Sequence, residues 1–410
     1  MRAVLVMLHR WLGLFTALFL LVAGLTGAVI AWDHELDAWL NPAFNEAETP
    51  GKPQSALALA EKLEQREPRV QVTYLPLQTE PGEALSVFVV PRLDPATGKP
   101  FLIDYNQITL DPATGEVQGR RMWGAFSLAW ENLPSFLYKL HYSLHLPDVA
   151  GVRSGVLLLG IVAMVWVIDC VIALWISFPN RRSWRKSFGF RWRAGGQKLT
   201  FDLHRSGGVW LWLLLLVVAV TSVSMNLEHQ VMRPLVNLVS PLQPTPFAGG
   251  TGERDGKSRL KRELSREQIL QMARSRAATL GVSAPMGGMF FSPAFDVYGV
   301  GFFKNGNAHG DVGLGNPWLY FDAHTGEPVA TTIPGTGSAG DIFLQMQFPL
   351  HSGRIAGLPG RILVSCLGVL VAGLSMTGII IWARRRRARA RSQLQRMAKT
   401  LSTTAVAVHE

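Results

Sequence analysis

The chain has 410 residues, a formal net charge of +11 and 48% hydrophobic residues, among them 13 tryptophans. Such a composition points to a membrane protein, because each bilayer span needs about 20 consecutive apolar residues. Only two cysteines occur, Cys170 and Cys366, both inside apolar runs, so no disulfide framework, thiolate zinc site or iron–sulfur cluster is expected.

The first apolar segment lies near 11–32. Arg2 and the small residues of "GAVIA" imitate a cleaved signal peptide, but a matching segment in mid-chain argues for a retained span. A region of ordinary polarity follows, opening with the amphipathic helical pattern "SALALAEKLEQRE" (55–67) and continuing into β-like stretches with the turn "LDPATGEV" (110–117). A second apolar segment near 152–178 leads into "NRRSWRKSFGFRWRAGGQK" (180–198), and a third follows near 207–227. The same plan then recurs: "SREQILQMARSRAATLG" (265–281), β-like stretches, the turn "FDAHTGEP" (321–328), a fourth segment near 361–383 and the basic "ARRRRARARSQLQRMAK" (383–399).

The predicted spans are 1–33, 139–179, 200–230 and 346–383. The lobes are 34–138 and 231–345, and the basic loop and tail are 180–199 and 384–410. Basic residues crowd beside span ends, which by the positive-inside rule makes both termini cytoplasmic and both lobes external. Contact with a lipid bilayer and its anionic headgroups explains the charge, and no nucleic-acid partner is expected. The fold class is a membrane α-helical protein with four internally duplicated spans and two extracytoplasmic α+β lobes.

The duplication is most direct between spans one and three. "LHRWLG" on "LHRSGG" aligns His9 with His204, Arg10 with Arg205, Gly13 with Gly208 and Thr26 with Thr221. Without a gap the register reaches "DHE" on "EHQ", so His34 falls on His229, each 25 residues after its partner. "HLPDVAGV" and "HSGRIAGL" align His145 with His351, while His141 offers an alternative one turn earlier on the expected helix.

Seven of the ten histidines therefore sit at span ends. Polar groups near hydrocarbon are costly and are functional candidates by default. A lone interfacial histidine is an ordinary anchor, but His9 and His204 lie at matched depth on equivalent helices. Two imidazoles facing across a bundle are what bis-histidine haem ligation requires. Gly13 and Gly208 would admit a flat macrocycle, and Arg10 and Arg205 would meet its propionates.

On the external side His351 with His145 or His141 would serve a second haem. His34 and His229 are additional ligand candidates, or merely charged helix ends facing water. The 25-residue spacing covers about 37 Å, slightly more than the roughly 30 Å hydrocarbon core, so two stacked haems would carry electrons across it. Zinc or copper transport is weakened by the lack of carboxylate and thiolate partners at core depth. Asp169 is the one acid well inside a span. It is a candidate for proton or quinol handling, or for a helix-packing contact.

Other signals carry less. "GTGERDGKS" (250–258) has Thr251 where a phosphate loop needs its first glycine, and "NGNAHGDVGLGNP" has no dinucleotide-binding context. No nucleophile, nicotinamide or flavin fingerprint appears, and no catalytic acid or base is assigned, so electrons must come from a separate donor, cytoplasmic or quinol. Met286, Met289 and the run "MFFSPAFDVYGVGFF" read as core, with guidance of a ligand as the rival.

The motifs "LHRWLGL", "LTG", "LDAWLNP", "LHYSLHLP" with "DC", "DLHRSGG" and "LHSGRIAGLPGR" together resemble the PepSY-associated transmembrane family, specifically its ferric siderophore reductase branch in bacterial inner membranes. The resemblance covers nearly the whole chain. It implies PepSY-like lobes and a protein with two haems b that passes cytoplasmic electrons to periplasmic ferric siderophore and releases ferrous iron. By position it assigns His9 and His204 to one haem and His351 with His141 or His145 to the other, its "LHxxL" motif favouring His141. The competing readings are a non-enzymatic membrane receptor or regulator, and a quinol-linked cytochrome b with another acceptor.

Overall fold

The computed structural model describes residues 1–182, 184–247, 263–304 and 313–407. The stretch 250–258 and most of 305–317 lie outside the described residues. The first half contains α1 (Arg2–Ile30), α2 (Asp33–Leu40), α3 (Pro42–Asn45), α4 (Ala56–Arg66), β1 (Val70–Pro76), β2 (Leu85–Pro91), β3 (Gln107–Leu110), β4 (Val117–Arg121), α5 (Leu133–Ser143) and α6 (Ser154–Ser177). The second contains α7 (Gly196–Asn226), α8 (Arg233–Asn237), α9 (Arg266–Thr279), β5 (Met286–Ser292), β6 (Val297–Phe302), β7 (Trp318–Asp322), β8 (Pro328–Thr332), α10 (Ala339–His351) and α11 (Gly357–Ala407). The chain divides into two compact units.

The helical unit comprises Met1–Ala28, His141–Leu227 and the chain from Leu363 onward. Four helices, α1, α6, α7 and α11, are long and apolar enough to cross a membrane. Leu18 and Leu213 are each 63% exposed, and many neighbours are similar. Apolar surface on that scale is stable only in an apolar solvent, which is the physical reason to read the unit as membrane-embedded. Its core is small: Trp166, Leu215, Ala219, Leu367 and Val371. α1 and α11 meet at glycines, and a Cβ on Gly24 would sit 2.6 Å from the Gly368 carbonyl oxygen. Small residues let backbones approach where lipid removes the hydrophobic drive between helices.

Two expected spans differ from the sequence reading. Residues 139–179 are not one helix but α5 and α6, and 346–383 divides likewise into α10 and α11. After α5, Leu144 and His145 take φ of 53° and 54°, which turns the chain out of the helix, and Pro147 just beyond cannot continue one. After α10 the turn is made at Gly353 and Gly357, with φ of 75° and 61°. The basic tail is also not a separate element, since α11 runs unbroken to Ala407 through a stretch rich in Ala, Arg and Gln, all strong helix formers.

The second unit comprises Val29–Leu140 and Glu228–Ile362. The two expected lobes are a single body. Each contributes a helix and an antiparallel four-strand meander, and the meanders join edge to edge in the order β4-β3-β2-β1-β5-β6-β7-β8. The junction pairs Tyr74 with Phe290, Leu75 with Met289 and Pro76 with Gly288. One core spans both halves: Leu59 and Leu63 of α4, Ile269 and Ala273 of α9, and Val72, Val87, Met289 and Val300 from the strands. Arg266 of α9 donates to Glu64 of α4 at 2.6 Å, tying the helices across the junction. β6 is buried along its whole length. Its second face is covered by rings, and a Cβ on Gly301 would meet Phe303 at 2.7 Å and Trp318 at 2.8 Å. The run "MFFSPAFDVYGVGFF" is thus chiefly core, with Met289 buried and Met286 packed against it.

Candidate functional site

His9 lies in the third turn of α1 and His204 in the third turn of α7, so equivalent sequence positions place both at the same end of the bundle. Their ring centres are 6.1 Å apart with planes inclined at 43°. Nδ1 of His9 lies 2.8 Å from Oδ1 of Asp169 on α6. Nδ1 of His204 lies 3.0 Å from the Leu374 carbonyl oxygen and 3.2 Å from Oγ1 of Thr377, both on α11. A carbonyl oxygen can only accept, so Nδ1 of His204 carries the ring proton and Nε2 keeps its lone pair. The Asp169 carboxyl engages the same nitrogen of His9. Metal-ligating imidazoles are commonly held this way, the second nitrogen donating to a carboxylate or a carbonyl.

The pair borders a cavity of about 1000 Å³. That is the upper end of the roughly 300–1,000 Å³ typical of pockets for organic ligands. Gly13, Gly208, Trp212 and Gly378 are in its wall, and Arg2, Arg10, Arg205, Arg385, Arg386 and Arg389 bring six positive charges to it. A Cβ on Gly208 would meet nothing within 4 Å, so this position faces open space. At Gly378 a Cβ would lie 3.1 Å from Cε1 of His204, so the ring occupies room that only glycine leaves. Nε of Arg205 is buried without a hydrogen-bond partner, a donor suited to an acceptor that enters the cavity.

These observations bear on whether the residues fit a haem. Two metal–imidazole bonds of about 2.0 Å, with about 1.1 Å more from each nitrogen to its ring centre, span roughly 6.2 Å. The observed separation matches, and the glycine wall and the arginines supply space and counter-charge. Asp169, 7% exposed, is occupied by His9, an arrangement the sequence reading left open between proton handling and packing. Cys170 beside it is a free buried thiol.

His141 sits in a second cradle built to the same pattern. Its Nδ1 lies 3.0 Å from the Ala23 carbonyl oxygen and 3.1 Å from Oγ1 of Thr26, and a Cβ on Gly27 would lie 2.9 Å from its Cε1. Carbonyl, threonine and glycine at positions n, n+3 and n+4 thus recur as Ala23, Thr26, Gly27 and as Leu374, Thr377, Gly378. The dipeptide Thr-Gly was the signal available in the sequence, but the alignment of Thr26 with Thr221 hid it. His145 does not stack one turn beyond His141, because α5 ends at Ser143. His351 closes the last turn of α10 as His141 occupies the last turn of α5, which makes these two the element-level equivalents rather than His145 and His351. His351, His34 and His229 belong to the sheet unit, and the last two are exposed.

A family model for the PepSY-associated TM region matches residues 6–385. The chain belongs to that family. As a PepSY-associated transmembrane protein it is a membrane protein whose apolar helices imply a bilayer around them. The family assignment covers both units. A comparison with curated proteins returns no match.

Proposed function

We propose that this PepSY-associated transmembrane protein is a haem-bearing inner-membrane reductase that passes electrons from the cytoplasmic side to a ferric siderophore in the periplasm. The observation that carries the reading is the His9–His204 pair, with ring centres 6.1 Å apart and each Nδ1 engaged by an acceptor so that Nε2 is left for a metal. Among the described residues no three His, Cys, Asp or Glu side chains cluster for a metal. A porphyrin would supply the further ligands that a metal held by the two imidazoles needs.

Bound haem would supply reversible one-electron transfer within the bilayer. Asp169 and Leu374 orient the imidazoles, and Arg10 and Arg205 would neutralise propionates. His141, in its matching cradle, is the ligand we assign to a second haem. Oxygen-donor chelators hold ferric iron far more tightly than ferrous, so one electron delivered to the chelate frees the metal without breaking a bond in the ligand. Such chemistry needs no acid–base constellation. The electron enters from a separate donor, a cytoplasmic carrier or quinol.

The test is the visible spectrum of detergent-purified protein from haem-replete cells, with and without dithionite. A reducible haem b spectrum is expected, with His9→Ala and His204→Ala each losing about half the absorbance. A colourless wild-type protein would end this reading and leave an anchored binding module.

A further inference from the structure

The two imidazoles of the pair are held by different chemistry. His204 donates to neutral oxygens, the Leu374 carbonyl and the Thr377 hydroxyl, whereas His9 faces the Asp169 carboxyl at 2.8 Å. Thr377 precedes Trp382 by five residues and Asp169 precedes Trp175 by six, so the two acceptors do not occupy matching positions of their helices. The two imidazoles differ at the acceptor, and one acceptor is an acid on a helix whose other residues are almost all apolar. A carboxyl that is 7% exposed in such a helix is expensive unless it is used. His9 is the one side chain found hydrogen-bonded to it among the described residues.

Resting on the haem reading above, we propose that Asp169 is a positioning residue that fixes the His9 ring and, by supplying an anionic acceptor to one axial ligand only, holds the reduction potential of this haem below that of a haem with neutral acceptors on both sides. A carboxylate partner makes the imidazole a stronger donor, and a stronger donor favours the ferric over the ferrous ion. A low potential at the end where electrons enter directs them onward. The acceptor's charge and its mere presence are separable, because Asp169→Asn keeps the shape and an accepting oxygen while Asp169→Ala removes the acceptor.

The experiment is an optical redox titration of the purified wild-type, Asp169→Asn, Asp169→Ala and Thr377→Val proteins, with haem content measured beside it. In Asp169→Asn one reduction wave should move to higher potential with haem content kept. A tenfold loss of ferric relative to ferrous binding reads as a rise of about 59 mV for one electron. Asp169→Ala should lower haem content as well, by weakening the hold on His9. Thr377→Val, which leaves the Leu374 carbonyl in place, should shift the wave less than Asp169→Asn. Both waves unmoved in Asp169→Asn with both haems bound would overturn the inference, as would a Thr377→Val shift of equal size. A colourless wild-type protein overturns the reading beneath it instead.

Discussion

At the scale of single residues, what distinguishes a ligand histidine from an anchoring one is the second nitrogen. Nδ1 of His9, His204 and His141 each face a fixed oxygen, and for His204 and His141 the chain leaves a glycine where a side chain would collide with the ring. Gly27→Ala places a Cβ 2.9 Å from the His141 ring, and Gly378→Ala places one 3.1 Å from His204. Each ring must then shift by a few tenths of an ångström against a fixed hydrogen bond. On the proposed haem reading, each variant is expected to weaken binding of one haem about tenfold, Gly27→Ala more than Gly378→Ala, as read by haem content after dilution and by its return on adding haem. Sequence alignment found His9 and His204 because both lie on the duplicated spans in register. The repeat selected His145 and the family motif His141, and both stood as candidates because the end of α5 at Ser143 is not legible in either pattern.

At the scale of elements, two turns show how similar short sequences build similar local structure. "LDPATGEV" and "FDAHTGEP" each put an aspartate under a ring of backbone amides. Burial pushes the Asp111 carboxyl up, but hydrogen bonds from Thr114, Thr49 and Ala113 outweigh it and hold the group below its ordinary 3.8. Asp322 is held low in the same way by Thr325 and His324. A carboxyl whose pKa is lower folded than unfolded adds stability that is complete above the unfolded value of about 3.9 and is lost as pH falls through the folded one. Asp111→Asn should therefore destabilise the sheet unit at pH 7 by about 1–3 kcal/mol, the loss of hydrogen bonds to a buried charge, read as a lower melting temperature. The gap from wild type should close as the pH is taken below about 4, and a gap independent of pH would refute the account.

At the scale of the whole molecule, the lobes are not independent. β1 and β5 are interior strands of one sheet only because each is the other's neighbour, and the core beneath them is shared between α4 and α9. Expressed alone, residues 34–138 would expose the β1 edge and the apolar face that α9 residues cover. Such a fragment is expected to aggregate, or to dimerise through β1, on size-exclusion chromatography, whereas a monodisperse folded monomer would contradict a shared core. The sequence by itself determined the four apolar helices, the helix that precedes the β-like stretches of each half, and the candidate pair His9 and His204. These follow from hydropathy, period and repeat, which are properties of residues close in the chain. Only the tertiary structure decided that the half-sheets fuse, that Asp169 serves His9, and that Thr377 and Gly378 serve His204 as Thr26 and Gly27 serve His141. Those contacts join residues between 114 and 216 positions apart, and no local pattern encodes which distant segment will arrive beside a given ring or strand.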